Sequence, residues 1–297
     1  MTQIHRTPND LEFAALIGLD WADQKHDVCL LNLTTGQQEQ VVLKHTPEAI
    51  DDWAVELRRR FDGRPIGICL EQSRGALVHA LMKYEHLVLF PLNPSRLKSF
   101  RSAVTNSGAK DDPTDAQFLL EYLVHHRQHL TPWKPDDALT RHIGLLVEQR
   151  RQAVELRKRL ANRMRSSLKQ YFPQALQWTG DELHSRLSCD FLIKWPTLAA
   201  VQKASSQTLR KFYYGHHYRN EAGLKERLEQ IRAACPLTTD TALEAGHALT
   251  VTLLAKQLRE LNQSLREFDR ELARLMTQHP DAAIFTSFPG AGEAMAP

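Results

Sequence analysis

The sequence predicts an α/β domain built on a mixed sheet with flanking helices, followed by a long helical region that includes a coiled coil. Three observations lead there. Short apolar runs bounded by turn residues alternate with helical patterns over roughly the first 130 residues. From Asp136 onward the apolar residues recur at helical spacing instead. Finally, Val251, Leu254, Leu258, Leu261, Leu265, Phe268, Leu272 and Leu275 step by threes and fours, which is a heptad seam.

A chain of 297 residues has room for two domains. The change of texture predicts an α/β domain over 1–132 and a helical linker and coiled coil over 133–280. Apolar residues at 42% and charged residues at 25% exclude wholesale disorder. No run approaches the roughly 20 apolar residues of a membrane span, and the polar start MTQIHRTPNDLE does not read as a signal peptide. Cys29, Cys69, Cys189 and Cys235 stand far apart with no C-x-x-C pair, so a cytoplasmic protein without a disulfide framework or zinc site is expected. Residues 1–130 carry 14 Lys and Arg against 17 Asp and Glu, whereas the remainder is basic. An acidic front half that handles a polyanion needs metal ions or a local basic loop; the basic back half can touch phosphates directly.

The elements follow in order. Leu16-Ile17-Gly18-Leu19 is an apolar strand ending at Asp20, Val28-Cys29-Leu30-Leu31 is a second, and a turn at Gly36 leads to a third over Gln40-Val41-Val42-Leu43, giving an antiparallel meander. Thr46 as N-cap and Pro47 at the first helical position open a helix that runs to Phe61 and stops at Asp62-Gly63. Ile66-Gly67-Ile68-Cys69-Leu70 is a buried strand ending at Glu71. A helix over about 76–84 and a strand over Leu87-Val88-Leu89-Phe90, stopped by Pro91, come next. The order β-β-β-α-β-α-β-α resembles the RNase H fold in its RuvC-like form. That resemblance implies parallel first and fourth strands side by side at the middle of the sheet, with Asp20 and Glu71 projecting from one edge. Open α/β sheets bind ligands at such carboxyl ends.

Two-metal phosphodiester chemistry needs clustered carboxylates, because magnesium favours oxygen ligands. Asp20 and Glu71 terminate apolar strands, where charge is unexpected. Asp112 and Asp115 stand three apart at a helix start and share a face. These four are the candidate catalytic and metal-holding residues, for Mg2+ or Mn2+, two ions in all. The Asp112–Asp115 pair also suits a helix N-terminus with no further role. Asp23 and Asp111 read as solvated.

Ile17-Gly18-Leu19-Asp20-Trp21, Leu70-Glu71-Gln72-Ser73, and Lys110-Asp111-Asp112-Pro113-Thr114-Asp115-Ala116 resemble the signature blocks of the DEDD insertion-sequence transposases, the recombinases guided by a bridge RNA. Asn93-Pro94-Ser95-Arg96 up to Phe100, and Ser287-Phe288-Pro289-Gly290-Ala291-Gly292, resemble further segments of the same family, the latter the P-G-x-G opening of its second domain, which implies that 281–297 is the start of a truncated further domain. The resemblance implies that Asp20, Glu71, Asp112 and Asp115 are the DEDD metal ligands, that donor and target DNA and a guide RNA are partners, and that the protein works in the bacterial cytoplasm at the nucleoid. It also implies a serine nucleophile downstream of the P-G-x-G block, beyond most of this sequence, so strand exchange by these residues alone is not expected. Asp111 and Arg74 depart from the family's usual threonine and glycine.

Arg96, Lys98, Arg101 and Lys110 around Ser107-Gly108 could hold a nucleic-acid backbone beside the site, as could Arg150, Arg151, Arg157 and Lys158 on the basic helix that follows; in both places a solvated surface is the plain alternative. Trp178, Trp195, Tyr213 and Tyr214 could stack on bases but fit a core better, and His125, His126 and His129 read as exposed helix-end residues. The seam over 251–275 predicts a homo-oligomer, with pairing inside the chain against the 141–170 helix as the competitor. Other readings are a Holliday-junction resolvase and a coiled-coil nucleic-acid-binding protein with an inactive nuclease fold. Trp21-Ala22-Asp23-Gln24 after Asp20 argues against the sugar-kinase and actin ATPases, whose phosphate loops use small residues.

Overall fold

The computed structural model describes residues 12–71, 75–104 and 115–287. The chain divides into two compact units between Pro135 and Asp136.

In the first unit, β1 (Ala15–Asp20), β2 (Lys25–Asn32), β3 (Gln38–Lys44), β4 (Ile66–Leu70) and β5 (Leu87–Pro91) form one sheet in the order β3-β2-β1-β4-β5. The meander β1–β2–β3 is antiparallel, and β1–β4 and β4–β5 are parallel. This is an RNase H-like mixed sheet. β2 starts three residues earlier than the apolar run because Lys25, His26 and Asp27 continue the ladder to β3.

Alternation along β1, β2 and β4 sorts the core into two layers. Ile17, Leu19, Val28, Leu30, Ile66 and Ile68 pack with α1 (Pro47–Arg60) and α2 (Ala76–Leu81). Leu16, Cys29, Cys69 and Phe90 pack on the other face with Leu97 of α3 (Pro94–Val104) and with Phe118, Leu119 and Leu123 of α4 (Asp115–His126). Each fully buried Ile or Leu contributes about 1.5–3 kcal/mol. Thr46 caps α1 as expected, its hydroxyl accepting from the Ala49 N–H at 3.2 Å. α2 ends at Leu81, short of Tyr84, because tight turns from Leu81 to Tyr84 and from Tyr84 to Leu87 lead the chain into β5.

In the second unit two long helices, α5 (Ala138–Tyr171) and α11 (Thr241–Met276), are separated along the chain by shorter ones: α6 (Ala175–Trp178), α7 (Arg186–Lys194), α8 (Leu198–Lys203), α9 (Ser206–Gly215) and α10 (Glu221–Ala233). α12 (Ala282–Thr286) follows. Trp178, Trp195 and Tyr213 are buried in this core, and Tyr214 is half-buried. The Tyr213 hydroxyl donates to the Trp178 carbonyl at 3.0 Å, and the Tyr171 hydroxyl to that of Pro196 at 2.6 Å. These rings are packing elements.

The heptad seam is covered inside the chain. Val251, Leu254, Leu258, Leu265, Leu272 and Leu275 are buried, Leu261 and Phe268 half-buried. α5 and α11 run antiparallel, tied by Thr140–His279, Arg150–Asp269 and Ser167–His247. Of the two expectations for 251–275, the arrangement seen is the pairing inside the chain against α5. A helix on the same chain supplies the complementary apolar face at a high effective concentration, so the stripe that motivated dimerisation does not face water. Leu258→Ala should therefore cost about 2–5 kcal/mol of stability in denaturant unfolding. Light scattering should show an unchanged mass for the folded variant; a fall in mass would restore the intermolecular seam.

Candidate active site

Parallel pairing of Leu19 with Leu70 puts the next residues, Asp20 and Glu71, at the carboxyl ends of neighbouring strands, which lie about 4.8 Å apart in a sheet. Both belong to the face that packs α4, since Gly18 and Cys69 precede them by two. Asp115 enters from the first residue of α4. It reaches this edge because α4 lies directly on β1. A Cβ on Gly18 would stand 2.0 Å from the Ala116 carbonyl oxygen and 2.4 Å from the Leu120 nitrogen. Only a glycine permits that approach.

The structure thus brings together three of the four expected carboxylates. Asp112, Asp111 and Lys110 lie outside the described residues. Asp27 was not foreseen: it pairs with Asp20 across the β1–β2 register and so shares its face. Alternation along the strand was the signal that could have found it. Burial raises the Asp20 carboxyl above its ordinary value, Asp115, Glu71 and Asp27 raise it further, and Arg101 opposes them.

Arg101, expected to hold a nucleic-acid backbone beside the site, points into this cluster. Its Nη2 is 2.8 Å from Asp115 Oδ2 and 3.7 Å from Glu71 Oε1. Its guanidinium lies 5.9 Å from the centre of the Phe118 ring. α3 holds it there through Phe100, which packs edge-on to Tyr122 of α4. Arg96 and Lys98 are exposed and make no ion pair among the described residues.

The turn after Asp20 is fixed from the other face of β2. His26 is fully buried, its Nδ1 accepting from the Ala22 N–H at 3.2 Å. Its Nε2 therefore carries the proton and donates to His45 Nδ1 at 2.9 Å. Burial and then His45 lower the His26 pKa, so the ring is neutral.

On the second unit the cations expected to bind nucleic acid divide. Arg150 is paired with Asp269 and Arg151 with Glu148, so neither is a free cation of the basic face. Arg157 and Lys158 have no ion pair among the described residues. His125 and His129 are exposed and His126 half-buried.

A family model of DEDD transposases of the IS110 type, described as transposase, matches residues 17–173. The chain belongs to this transposase family. It is 26% identical over 289 residues to the "Mini-circle putative transposase for IS117" of Streptomyces coelicolor, covering 93% of this chain and 68% of that protein. It is 29% identical over 212 residues to "Putative transposase y4uE" of Sinorhizobium fredii, covering 68% of this chain and 56% of that protein. The chain thus spans little more than half the length of the second relative and about two thirds of the first.

Two outcomes test this geometry in the transposase. Gly18→Ala should cost about 1–3 kcal/mol or more, because the methyl meets backbone that cannot step aside; chemical denaturation indistinguishable from wild type would contradict the close packing. Asp20 holds its proton more tightly in the native state than its ordinary value of 3.8 allows. That preference stabilises the fold below the ordinary value and is lost as pH rises through the native one, so at neutral pH the ionised carboxylate weighs against the metal-free fold. Asp20→Asn should melt higher than wild type at neutral pH in chelator, the gap closing as pH falls below the ordinary carboxylate range. Calorimetry showing an equal or lower melting point at neutral pH would refute it.

Proposed function

We propose that this chain carries the metal-dependent catalytic domain of a DNA transposase of an insertion sequence. Asp20, Glu71, Asp112 and Asp115 are its ligands for two Mg2+ or Mn2+ ions. The observation that supports this most is the meeting of Asp20, Glu71 and Asp115 from three elements at one sheet edge, with a carboxyl group whose pKa is raised by burial and then by its acidic neighbours. The donor set consists of carboxylates, with no thiol or imidazole, which suits a hard ion. Among the described residues no three acidic, His or Cys side chains close into a ready metal cage; Arg101 engages two of them, and the fourth carboxylate is not among them. Bound there, the ions would polarise a phosphate oxygen and lower the pKa of a nucleophile.

The chain's own residues do the remaining work. Gly18 sets the height of α4 and thereby of Asp115. The His26–His45 pair holds the turn that follows Asp20. Arg96 and Lys98 beside the site, and Arg157 and Lys158 on α5, supply sequence-independent phosphate contacts to donor and target DNA or to a guide RNA. RNA guidance rests on the family resemblance of the signature blocks. Action on genomic DNA places the protein in the cytoplasm at the nucleoid. Among the described residues no helix is long and apolar enough to cross a membrane.

Metal titration separates this reading from an inactive nuclease fold. Mg2+ or Mn2+ at about 100 times its dissociation constant should stabilise the wild type by about 2.7 kcal/mol, since it binds the native state. Asp20→Asn should lose most of that gain. A wild-type melting point indifferent to both ions would end the proposal.

A further inference from the structure

We propose that Arg101 is an exchangeable counterion of the carboxylate cluster: it holds Glu71 and Asp115 together until a divalent ion takes them, and it competes with that ion for both. The inference rests on the reading that these carboxylates hold metal.

One guanidinium nitrogen reaches carboxylates on two different elements, Glu71 after β4 and Asp115 on α4, from a third, α3. This differs from Arg151–Glu148 or Arg274–Glu271, which join neighbours three apart on a single helix. Without a cation between them, like charges this close would push the edge apart. Arginine supplies that charge at any working pH. The buried Phe118 ring lies beside the guanidinium and limits where it can go.

The same bridge is weak enough to yield. The side chains of Arg101, Glu71 and Asp115 are 33%, 34% and 41% exposed, in the range where ion pairs add little to stability. A divalent ion gains several carboxylates at once and displaces the guanidinium. Arg101 thus presets the edge and sets the metal concentration at which it charges. Asp20 also lies in the field of Arg101, which lowers its pKa against burial and the other acids.

Binding of Mn2+ alone to the full chain, followed by the paramagnetic resonance of the unbound ion at neutral pH, tests this. Asp20→Asn should lose the ion, which checks the metal-site reading. Arg101→Gln should bind it roughly fivefold more tightly than wild type, the change expected when an exposed ion pair is removed as competitor. Arg101→Lys should fall between, and the metal-free Arg101→Gln protein should melt lower than metal-free wild type. If Asp20→Asn loses Mn2+ while Arg101→Gln binds it no better than wild type, the counterion proposal fails and the metal site stands. If wild type does not bind Mn2+, both fail. Should Arg101→Gln not fold, the side-chain Nε–H resonance of Arg101 in the wild type, assigned by its absence from Arg101→Lys, must shift on saturation with Mg2+; a signal that stays in place overturns exchange.

Discussion

The backbone-to-backbone approach of α4 to β1 at Gly18 is the constraint on which the rest of the first unit depends. A strand and a helix normally stand apart by the thickness of their side chains. Removing one side chain lets the Ala116–Leu120 turn sit on the strand itself, and the residue just before that turn is Asp115. The helix is held down by Phe118, Leu119 and Leu123 on the Cys29, Cys69 and Phe90 layer, so apolar burial positions a charged group. The fold thereby delivers a carboxylate from a helix to an edge where two strands already deliver theirs.

Placing acids together works against stability. Burial and like charge both raise the Asp20 carboxyl, so the metal-free fold tolerates an electrostatic cost that a surface designed for stability alone would avoid. Among the described residues the compensation comes from the Arg101 guanidinium on a partly exposed bridge. A deeply buried salt bridge would lock the carboxylates more firmly and would also shut out a metal ion. Modest strength here is what the proposed exchange requires, because the edge would have to be preset and still open.

The elements legible in the sequence were those with strong local signals. All five strands were read from apolar runs, and α1 from Thr46 and Pro47. The ends of α5 and α11 were less exact, since Asp137 and Asp240 cap them upstream of the apolar stripes. The stretch over 173–220 looked irregular because its helices are short, yet Ser185, Thr197 and Ser205 each cap one in the same way. Asp20, Glu71 and Asp115 were found from their positions at element ends. What could not be read was partnership. Arg101 looked like any surface cation, since nothing in its local sequence says that α3 aims it at β4 and α4. Asp27 was hidden because its importance lies in register. The seam over 251–275 was read correctly as apolar, while a cover within the chain and one on a second copy both stayed open, because a heptad pattern states that a face must be covered without naming the cover.

The charge asymmetry of the two halves takes on meaning once the acidic edge is placed. Residues 1–130 hold more acids than bases, and four of those acids, Asp20, Asp27, Glu71 and Asp115, are engaged at one edge. Such an edge repels the phosphates it is proposed to act on. Neutralising it with divalent ions reverses the local sign while leaving the rest of the unit unchanged. Attraction over distance would then come from other cations, and α5 carries Arg157 and Lys158, which make no ion pair among the described residues. Arg150 and Arg151 start from a different state, since each is already paired to a carboxylate, of Asp269 and Glu148. Those pairs are partly exposed, so either arginine can exchange its carboxylate for a phosphate, and the salt dependence of nucleic-acid binding would report how many cations do so.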